Sequence, residues 1–140
     1  MAAPEVPSSH AYLLDAPTMT LATIGPDGRP QLSQTWFLAE DGVVKISLNT
    51  ARQKVKNLEA NPAATVFILD TANPQKYLEI RGDATLEPDP DYEFCEREGA
   101  KYGNPPIRLW DGPDAKRYEV TINPVRINAV NMSGEEPTDA

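Results

Sequence analysis

The chain has 140 residues, with 13 Lys and Arg against 21 Asp and Glu, and a formal net charge of −8. A chain of this length can bury a hydrophobic core of its own, so residues 1–140 are predicted to form a single domain. An acidic surface repels phosphate backbones and anionic lipids, which argues against general nucleic-acid or membrane-surface binding unless the basic residues are concentrated.

The cysteine content and the apolar runs indicate the cellular setting. Cys95 is the single cysteine and has no intrachain partner for a disulfide, which fits a reducing compartment. The start of the sequence lacks the basic and apolar regions of a secretory signal, and no apolar run approaches the roughly 18 residues of a membrane span. We therefore expect a cytoplasmic protein.

The first third of the chain is predicted to contain a short helix and two strands. Residues 1–9 are small, polar or proline-rich and are predicted to be a flexible tail, as are residues 133–140. A short helix is expected over 9–16. Alternating residues predict strands over 18–24 and 31–39, joined by a hairpin turn that contains Asp27-Gly28.

The middle of the chain is predicted to form two strands around a basic helix. Residues 43–49 form the third strand of an antiparallel succession. Thr50 is expected to be the N-cap of a helix over 51–60, which ends before Pro62. The apolar run 63–69 predicts a central strand buried on both faces.

The last third is predicted to contain bent strands and one surface helix. Gly82 indicates a bulge or bend, so residues 76–88 are expected to form either one long bent strand or a hairpin. A helix is expected over 88–102, followed by a loop and two strands, 116–122 and 125–131. The 14 prolines and the six to eight short strands predict a mostly β fold, an antiparallel barrel with small helices.

A basic cluster at the start of the predicted helix 51–60 is the first candidate site. Arg52, Lys54 and Lys56 lie within five positions in a chain that is otherwise acidic. A helix N-terminus presents unpaired N–H groups and partial positive charge, so added cations favour binding of a phosphate or carboxylate. The alternative is that these side chains only cover the solvent face of an amphipathic helix.

Polar residues beside aromatic ones on the strand 30–39 are the second candidate site. Gln31, Ser33, Gln34 and Thr35 precede Trp36 in this strand. A planar heteroaromatic ligand needs such a combination of apolar surface and hydrogen-bonding groups. The alternative is a half-exposed strand that carries an ordinary core tryptophan.

Side-chain catalysis and metal binding find little support in the sequence. His10, the single histidine, is placed in a tail, and Cys95 on an apolar stripe is interpreted as a core thiol. A group of acidic residues is interpreted as a solvated helix face: Asp89, Asp91, Glu93, Glu96 and Glu98. If the protein is an enzyme, a bound cofactor is expected to supply the reactivity, and no metal site is predicted.

Two motifs carry a resemblance to a known family. They are T-x-x-x-D-G-x-P over 23–30 and R-x-K-x-x-N-L over 52–58 followed by N-P. In this order and spacing the chain resembles the flavin and deazaflavin oxidoreductases of the pyridoxamine 5'-phosphate oxidase-like superfamily, particularly the small proteins that use coenzyme F420. The similarity covers about two thirds of the chain.

The resemblance implies a six-stranded antiparallel split β-barrel of the FMN-binding type, assembled as a homodimer with the cofactor at the subunit interface. Arg52 and Lys54 would bind the cofactor phosphate, with Asn57 supporting them. The partner subunit would close the groove with Tyr77 or Trp110. The remaining implied cofactor-binding residues are Pro30, Gln31, Leu32, Ser33, Gln34, Ser47, Leu48, Asn49 and Gln53.

The function implied by the resemblance is an F420H2-dependent reductase. It would transfer a hydride to an electron-poor small molecule such as an enone, a quinone or a tetrapyrrole-like compound. An FMN-dependent oxidoreductase of the same fold and a non-catalytic deazaflavin carrier are the alternatives. The acidic C-terminal sequence argues against vitamin B6 oxidation, and a second basic cluster for a polyglutamate tail is absent, although Lys45 and Lys56 could serve.

Overall fold

The computed structural model of the chain describes residues 2–133. A short 3₁₀ helix spans Ala11–Asp15. The seven strands are β1 (Met19–Ile24), β2 (Pro30–Thr35), β3 (Leu38–Glu40), β4 (Val43–Asn49), β5 (Ala63–Leu69), β6 (Lys76–Pro88) and β7 (Arg117–Asn131). The three α-helices are α1 (Gln53–Ala60), α2 (Glu93–Ala100) and α3 (Ile107–Asp111).

The strands form one curled antiparallel sheet in the order β2-β1-β5-β6-β7-β4-β3. The prediction of a mostly β, antiparallel architecture is confirmed, but the sheet has seven strands where six were expected. The extra strand arises because the segment 31–39 is broken at Trp36 and Phe37. The Phe37 N–H donates to the Tyr102 hydroxyl at 3.1 Å, and its carbonyl accepts from Lys101 Nζ at 3.0 Å. These contacts take the backbone of Phe37 out of the sheet.

The two longest strands, β6 and β7, pair along their whole length around a bulge. Arg81 pairs with Arg126 and Gly82 pairs with Pro124, so Val125 is the extra residue on β7. Proline has no N–H to donate to the hydrogen-bond ladder, so within a strand it is tolerated at a bulge. Pro124 lies at this bulge. The prediction of two separate final strands is therefore wrong, whereas the expected bend at Gly82 is present.

Gly82 is required at this bulge because the chains approach too closely for a side chain. A Cβ at this position would lie 2.3 Å from the carbonyl oxygen of Asn123. We expect Gly82→Ala to lower the free energy of unfolding by about 2 kcal/mol, within the range typical of overpacking. Chemical denaturation measures the change.

The matched control for Gly82→Ala is Gly99→Ala in α2. A Cβ at Gly99 would make only an ordinary contact of 3.7 Å with Pro105 Cδ. Alanine is also favoured over glycine inside a helix by up to about 1 kcal/mol. Gly99→Ala should therefore be neutral or stabilising, and an equal loss in both variants would contradict the steric explanation.

The core lies on the concave side of the sheet. On β5, Ala64, Val66 and Ile68 are buried, whereas Thr65 and Phe67 on the opposite face are only half-buried. The prediction that β5 is buried on both faces is therefore wrong for the single chain. Helices α1 and α2 cover the core through their apolar residues Val55, Leu58, Phe94 and Cys95.

The N-terminal segment is attached to the sheet, contrary to the placement of His10 in a tail. His10 is fully buried, and its Nε2 donates to the carbonyl oxygen of Val130 at 2.9 Å. The Ser9 hydroxyl lies 2.9 Å from His10 Nδ1 and can donate to it in this tautomer. His10 is thus a satisfied structural residue, and Val6 packs against the core before it. The second predicted tail lies, after Ser133, outside the described residues.

Helix α2 is shorter than the predicted helix 88–102, because Asp89 fixes its start. The Asp89 carboxylate accepts from the N–H groups of Phe94 at 3.2 Å and Cys95 at 3.0 Å. Asp89 is buried, and so is Glu98 on the inner side of the helix. The interpretation of both residues as part of a solvated acidic face is wrong, whereas Asp91, Glu93 and Glu96 are exposed.

Candidate functional site

A cavity of about 380 Å³ lies between strand β4, the start of α1 and the inner face of α2, and we call it the β4–α2 cavity. Six of its lining residues were predicted as cofactor-binding: Gln34, Ser47, Leu48, Asn49, Arg52 and Lys54. The others are Thr35, Trp36, Ile46, Cys95, Glu98, Gly99, Ile107 and Arg117. The cavity therefore joins the two candidate sites of the sequence, the basic cluster and the polar end of the strand 30–39.

The start of α1 forms one side of this cavity and lacks a side-chain cap. Thr50 is not the N-cap, because the helix begins at Gln53 and Arg52 occupies the cap position without a capping hydrogen bond. The Asn49 side chain instead accepts from the Ala51 N–H at 2.9 Å. Backbone N–H groups at an uncapped helix start remain available to an anion.

The two cations at this helix start have no acidic partner within residues 2–133. Neither Arg52 nor Lys54 forms an ion pair with a described carboxylate, whereas Lys45 is engaged by Glu40 and Glu119 at 3.2 Å each. Burial, and then the charge of Arg52, lower the pKa of Lys54. An anion between the two side chains would relieve this repulsion, so the electrostatics favour a negatively charged ligand.

The opposite side of the cavity combines an aromatic ring with hydrogen-bonding groups. The Trp36 ring stacks on Tyr102 with centroids 4.1 Å apart and planes 8° from parallel. The Thr35 hydroxyl is buried and has no hydrogen-bond partner among the described residues. Because an unpartnered buried hydroxyl costs free energy, this atom marks a place where a polar ligand group would be stabilised.

A largely buried ion pair holds the far end of the cavity. Arg117 binds Asp111 with two hydrogen bonds, Nε to Oδ2 at 2.6 Å and Nη2 to Oδ1 at 3.0 Å. Its Nη1 donates to the Ser47 carbonyl at 3.3 Å and hydroxyl at 3.2 Å. The Tyr92 hydroxyl donates to Asp111 at 2.7 Å. The network thus joins α3, β7 and β4 around the cavity.

Glu98 is the buried carboxyl group of the cavity. Its Oε2 accepts from the Ser47 N–H at 3.0 Å, and no hydrogen bond within the described residues engages Oε1. Burial raises the pKa of Glu98 to about 7, although the Ser47 N–H and the charge of Arg117 oppose the shift. Near neutral pH this carboxyl group therefore holds its proton for a large part of the time.

The raised pKa of Glu98 makes stability depend on pH. Below the ordinary pKa of 4.5, both folded and unfolded states are protonated and no cost arises. As the pH rises toward about 7, the unfolded state loses a proton that the folded state keeps, so stability falls. The free energy of unfolding of Glu98→Gln, relative to wild type, should therefore rise by up to about 3 kcal/mol between pH 4.5 and about 7. Each pKa unit corresponds to about 1.4 kcal/mol.

Urea denaturation of wild type and Glu98→Gln at several pH values measures this difference. Glu93→Gln is the matched control, since Glu93 is exposed on the same helix. A stability difference that stays constant between pH 4.5 and 7 would contradict the raised pKa of Glu98.

The other predicted site residues lie outside the β4–α2 cavity. Pro30, Gln31, Gln53 and Asn57 line a second, open groove of about 550 Å³ beside the turn after β1. Leu32 and Ser33 belong to the edge strand β2, where Leu32 is 66% exposed. Tyr77 in β6 packs against Phe67 with ring centroids 4.9 Å apart, away from both cavities. The binding roles of these residues stay predictions.

Asn57 borders the open groove and acts as a positioning residue for α1. Its buried amide donates to Thr23 at 3.0 Å and to Gln31 at 2.9 Å, and it accepts from Gln53 Nε2 at 2.9 Å. These bonds fix α1 against the β1–β2 hairpin. Asn57 therefore sets the position of the helix start rather than offering a free group to a ligand.

The family of the chain follows from its similarity to known proteins. The sequence model described as pyridoxamine 5'-phosphate oxidase matches residues 7–130. The chain belongs to the pyridoxamine 5'-phosphate oxidase family. A solved structure named F420 reductase is 34% identical, with a TM-score of 0.77 over 88% of this chain and 98% of that one.

More distant members of this fold differ in what they are named for. A conserved hypothetical protein from Mycobacterium tuberculosis is 22% identical, with a TM-score of 0.77 over 99% of this chain and 93% of its own. The heme storage protein HutZ from Vibrio cholerae is 17% identical, with a TM-score of 0.69 over 91% and 96% of the two chains. At these identities the similarity shows the fold alone.

Sequence reasoning missed several residues that line the β4–α2 cavity, among them Glu98 and Arg117. Glu98 follows Phe94 by four positions and Cys95 by three, so a helical projection that included Phe94 would have placed it beside the buried face. Arg117 carries no comparable local signal, because Asp111 and Ser47 reach it from separate elements.

No helix within residues 2–133 is long and apolar enough to cross a membrane.

Proposed function

We propose that this protein is an F420H2-dependent reductase that passes a hydride to an electron-poor small molecule such as an enone, a quinone or a tetrapyrrole-like compound. The observation that carries the proposal is the pair Arg52 and Lys54, which lie without a described acidic partner at an uncapped helix start beside a cavity. The 34% identity to a structure named F420 reductase favours the deazaflavin over other cofactors.

The residues of the β4–α2 cavity fit such a cofactor in its chemistry. Arg52, Lys54 and the start of α1 would hold its phosphate by charge-assisted hydrogen bonds. Trp36 offers an aromatic edge to a planar ring, and the unpartnered Thr35 hydroxyl offers it a hydrogen bond. When bound, the reduced deazaflavin supplies a hydride, so no nucleophilic side chain is needed from the protein.

A homodimer is part of the proposal. A cavity of about 380 Å³ is near the lower end of small-molecule sites, so a long cofactor must extend beyond it. The outer face of β5 and β6 carries the half-buried Phe67 and Tyr77 together with the exposed Leu69. Burial of this face against a second copy would explain why β5 carries apolar residues on both faces. Sedimentation analysis of the purified protein tests for the dimer.

The experiment that tests catalysis is a turnover assay with reduced F420. The purified protein is mixed with reduced F420 and, separately, with cyclohex-2-enone, menadione or biliverdin, and cofactor oxidation is followed by absorbance under anaerobic conditions. Oxidation that depends on both protein and acceptor would support a reductase. Tight binding of the cofactor without oxidation by any of the acceptors would instead indicate a carrier.

A further inference from the structure

We propose that Glu98 is the general acid of the β4–α2 cavity, donating the proton that a reduced acceptor requires after it receives a hydride. This inference rests on the proposed reductase function, because it assigns the second half of the same reaction. The role of Glu98 is toward the acceptor, whereas Arg52 and Lys54 would bind the phosphate of the cofactor. Three features of the structure support the assignment.

The first feature is that Glu98 forms no salt bridge with any residue in the range 2–133. The guanidinium group of Arg117, whose charge acts on Glu98, is already occupied by the two oxygens of Asp111 and by Ser47. The only hydrogen bond to the Glu98 carboxyl group within the described residues comes from the Ser47 N–H. A buried carboxylate without a partner is costly, so the neutral, protonated form is favoured.

The second feature is the balance of charges around the carboxyl group. Arg117 on β7 and Lys101, directly after α2, both favour ionisation, but desolvation outweighs them and leaves the pKa of Glu98 at about 7. Cys95 on α2 stays a neutral thiol because burial raises its pKa. From α3, Asp111 faces Arg117 and compensates its charge. A group that titrates near neutral pH is suited to give up and regain a proton there.

The third feature is the access of the carboxyl group to the cavity. Glu98 lines the β4–α2 cavity together with Trp36 and Ser47, and its Oε1 is not engaged by any described residue. A purely structural acceptor for the Ser47 N–H could be a glutamine, which carries no ionisation cost. An acid that lines a cavity and keeps one oxygen free is what proton donation requires.

The proton balance of the step is simple. The acceptor takes a hydride, with both electrons, at one carbon and becomes an anion at the adjacent carbon or oxygen. The O–H bond of Glu98 breaks, its proton forms the new C–H or O–H bond of the product, and the electron pair remains on the carboxylate. Water then returns a proton to Glu98 before the next turnover.

The first test needs no cofactor. In the free protein labelled with 13C at glutamate carboxyl carbons, one resonance is expected to titrate with a midpoint near pH 7, and it should be missing from Glu98→Gln. Glu93→Gln, on the exposed side of α2, should remove a different resonance and leave the one with a midpoint near pH 7 in place. Absence of a high-pKa resonance in the wild type would overturn the proposal.

The second test is kinetic and uses reduced F420 with cyclohex-2-enone. Glu98→Gln keeps the acceptor for the Ser47 N–H and should bind F420 within about twofold of wild type, while kcat falls about 100-fold, as is typical for loss of a general acid. The wild-type rate should decline above about pH 7, and this decline should be missing in Glu98→Gln. Glu98→Asp, which keeps the acid, should retain the decline and part of the rate.

The outcomes separate the two proposals. If the wild type binds and oxidises reduced F420, but Glu98→Gln keeps the rate and the pH profile, the general acid is overturned and the reductase stands. If the wild type neither binds nor oxidises the cofactor, the reductase fails, and the general acid fails with it. Equal rates in Glu98→Gln and Glu93→Gln would likewise assign Glu98 a structural role only.

Discussion

Replacing both Arg52 and Lys54 with alanine is expected to weaken F420 binding at least about 100-fold. Each side chain would contribute a charge-assisted hydrogen bond of roughly 1.5–3 kcal/mol to the cofactor phosphate, and about 1.4 kcal/mol corresponds to a tenfold change in affinity. Each single variant should therefore lose about tenfold or more. Equilibrium titration followed by fluorescence or calorimetry measures the dissociation constants.

Lys56→Ala is the matched control for this prediction. Lys56 lies on the same helix and carries the same charge but does not line the β4–α2 cavity, so even as a contact of the polyglutamate tail it should cost less affinity than either phosphate contact. Its removal lowers the net positive charge of the helix by the same amount as Lys54→Ala. If all three single variants lost affinity equally, the effect would reflect the general field of the helix, and a specific phosphate site at Arg52 and Lys54 would be contradicted.

Asp111→Ala is expected to lower the free energy of unfolding by about 3–5 kcal/mol. The substitution leaves the guanidinium group of Arg117 buried and uncompensated, and breaking a buried ion pair on one side has this cost. The side chains of Asp111 and Arg117 are only 8% and 15% exposed, so water replaces the lost partner poorly. Chemical denaturation at neutral pH measures the loss.

The pH dependence distinguishes this ion pair from a simple packing contact. The hydrogen bonds from Arg117 hold the pKa of Asp111 below its ordinary value of 3.8. The ionised Asp111 side chain therefore stabilises the fold fully above pH 3.8. This stabilisation is lost as the pH falls through the lower pKa that Asp111 has in the folded state. The difference between wild type and Asp111→Ala should therefore narrow in strong acid. Asp114→Ala, at an exposed aspartate, is the control. If Asp111→Ala lowered the free energy of unfolding by less than about 1 kcal/mol, the buried ion pair would not have the stabilising role assigned to it.

Local sequence patterns predicted most strands and the position of α1. Strand β4 follows from the alternation of Val44, Ile46 and Leu48, and α1 from the spacing of Val55 and Leu58 before Pro62. These features depend on a few neighbouring residues, for which periodicity and turn residues are informative. The cationic pair was also found in this way, because it lies within one short helix.

The surroundings of Glu98 could not be predicted in the same way. Its partner Ser47 is 51 positions away in the sequence, and Arg117 is brought to the same cavity by the pairing of β4 with β7. An acidic residue on a short helix with acidic neighbours has the local signature of a solvated face. A helical projection that includes Phe94 places Glu98 beside the buried face, but only the packing of α2 over β4 shows that the Ser47 N–H and Arg117 surround it there.

The broken strand at Trp36 and Phe37 has a similar cause. The alternation of residues 31–39 is consistent with one strand, but Tyr102 and Lys101 at the end of α2 take the backbone groups of Phe37. Trp36, at this break, lines the cavity and stacks on Tyr102. A distant element thus creates an aromatic wall that the strand pattern alone does not indicate.

A parallel titration of one preparation with F420 and with FMN shows whether the cationic pair at the start of α1 binds the deazaflavin. We expect saturable binding of F420, at least about tenfold tighter than that of FMN, and loss of that binding in the variant that lacks both Arg52 and Lys54. Tighter binding of FMN, or F420 affinity that is unchanged when both cations are removed, would contradict this expectation.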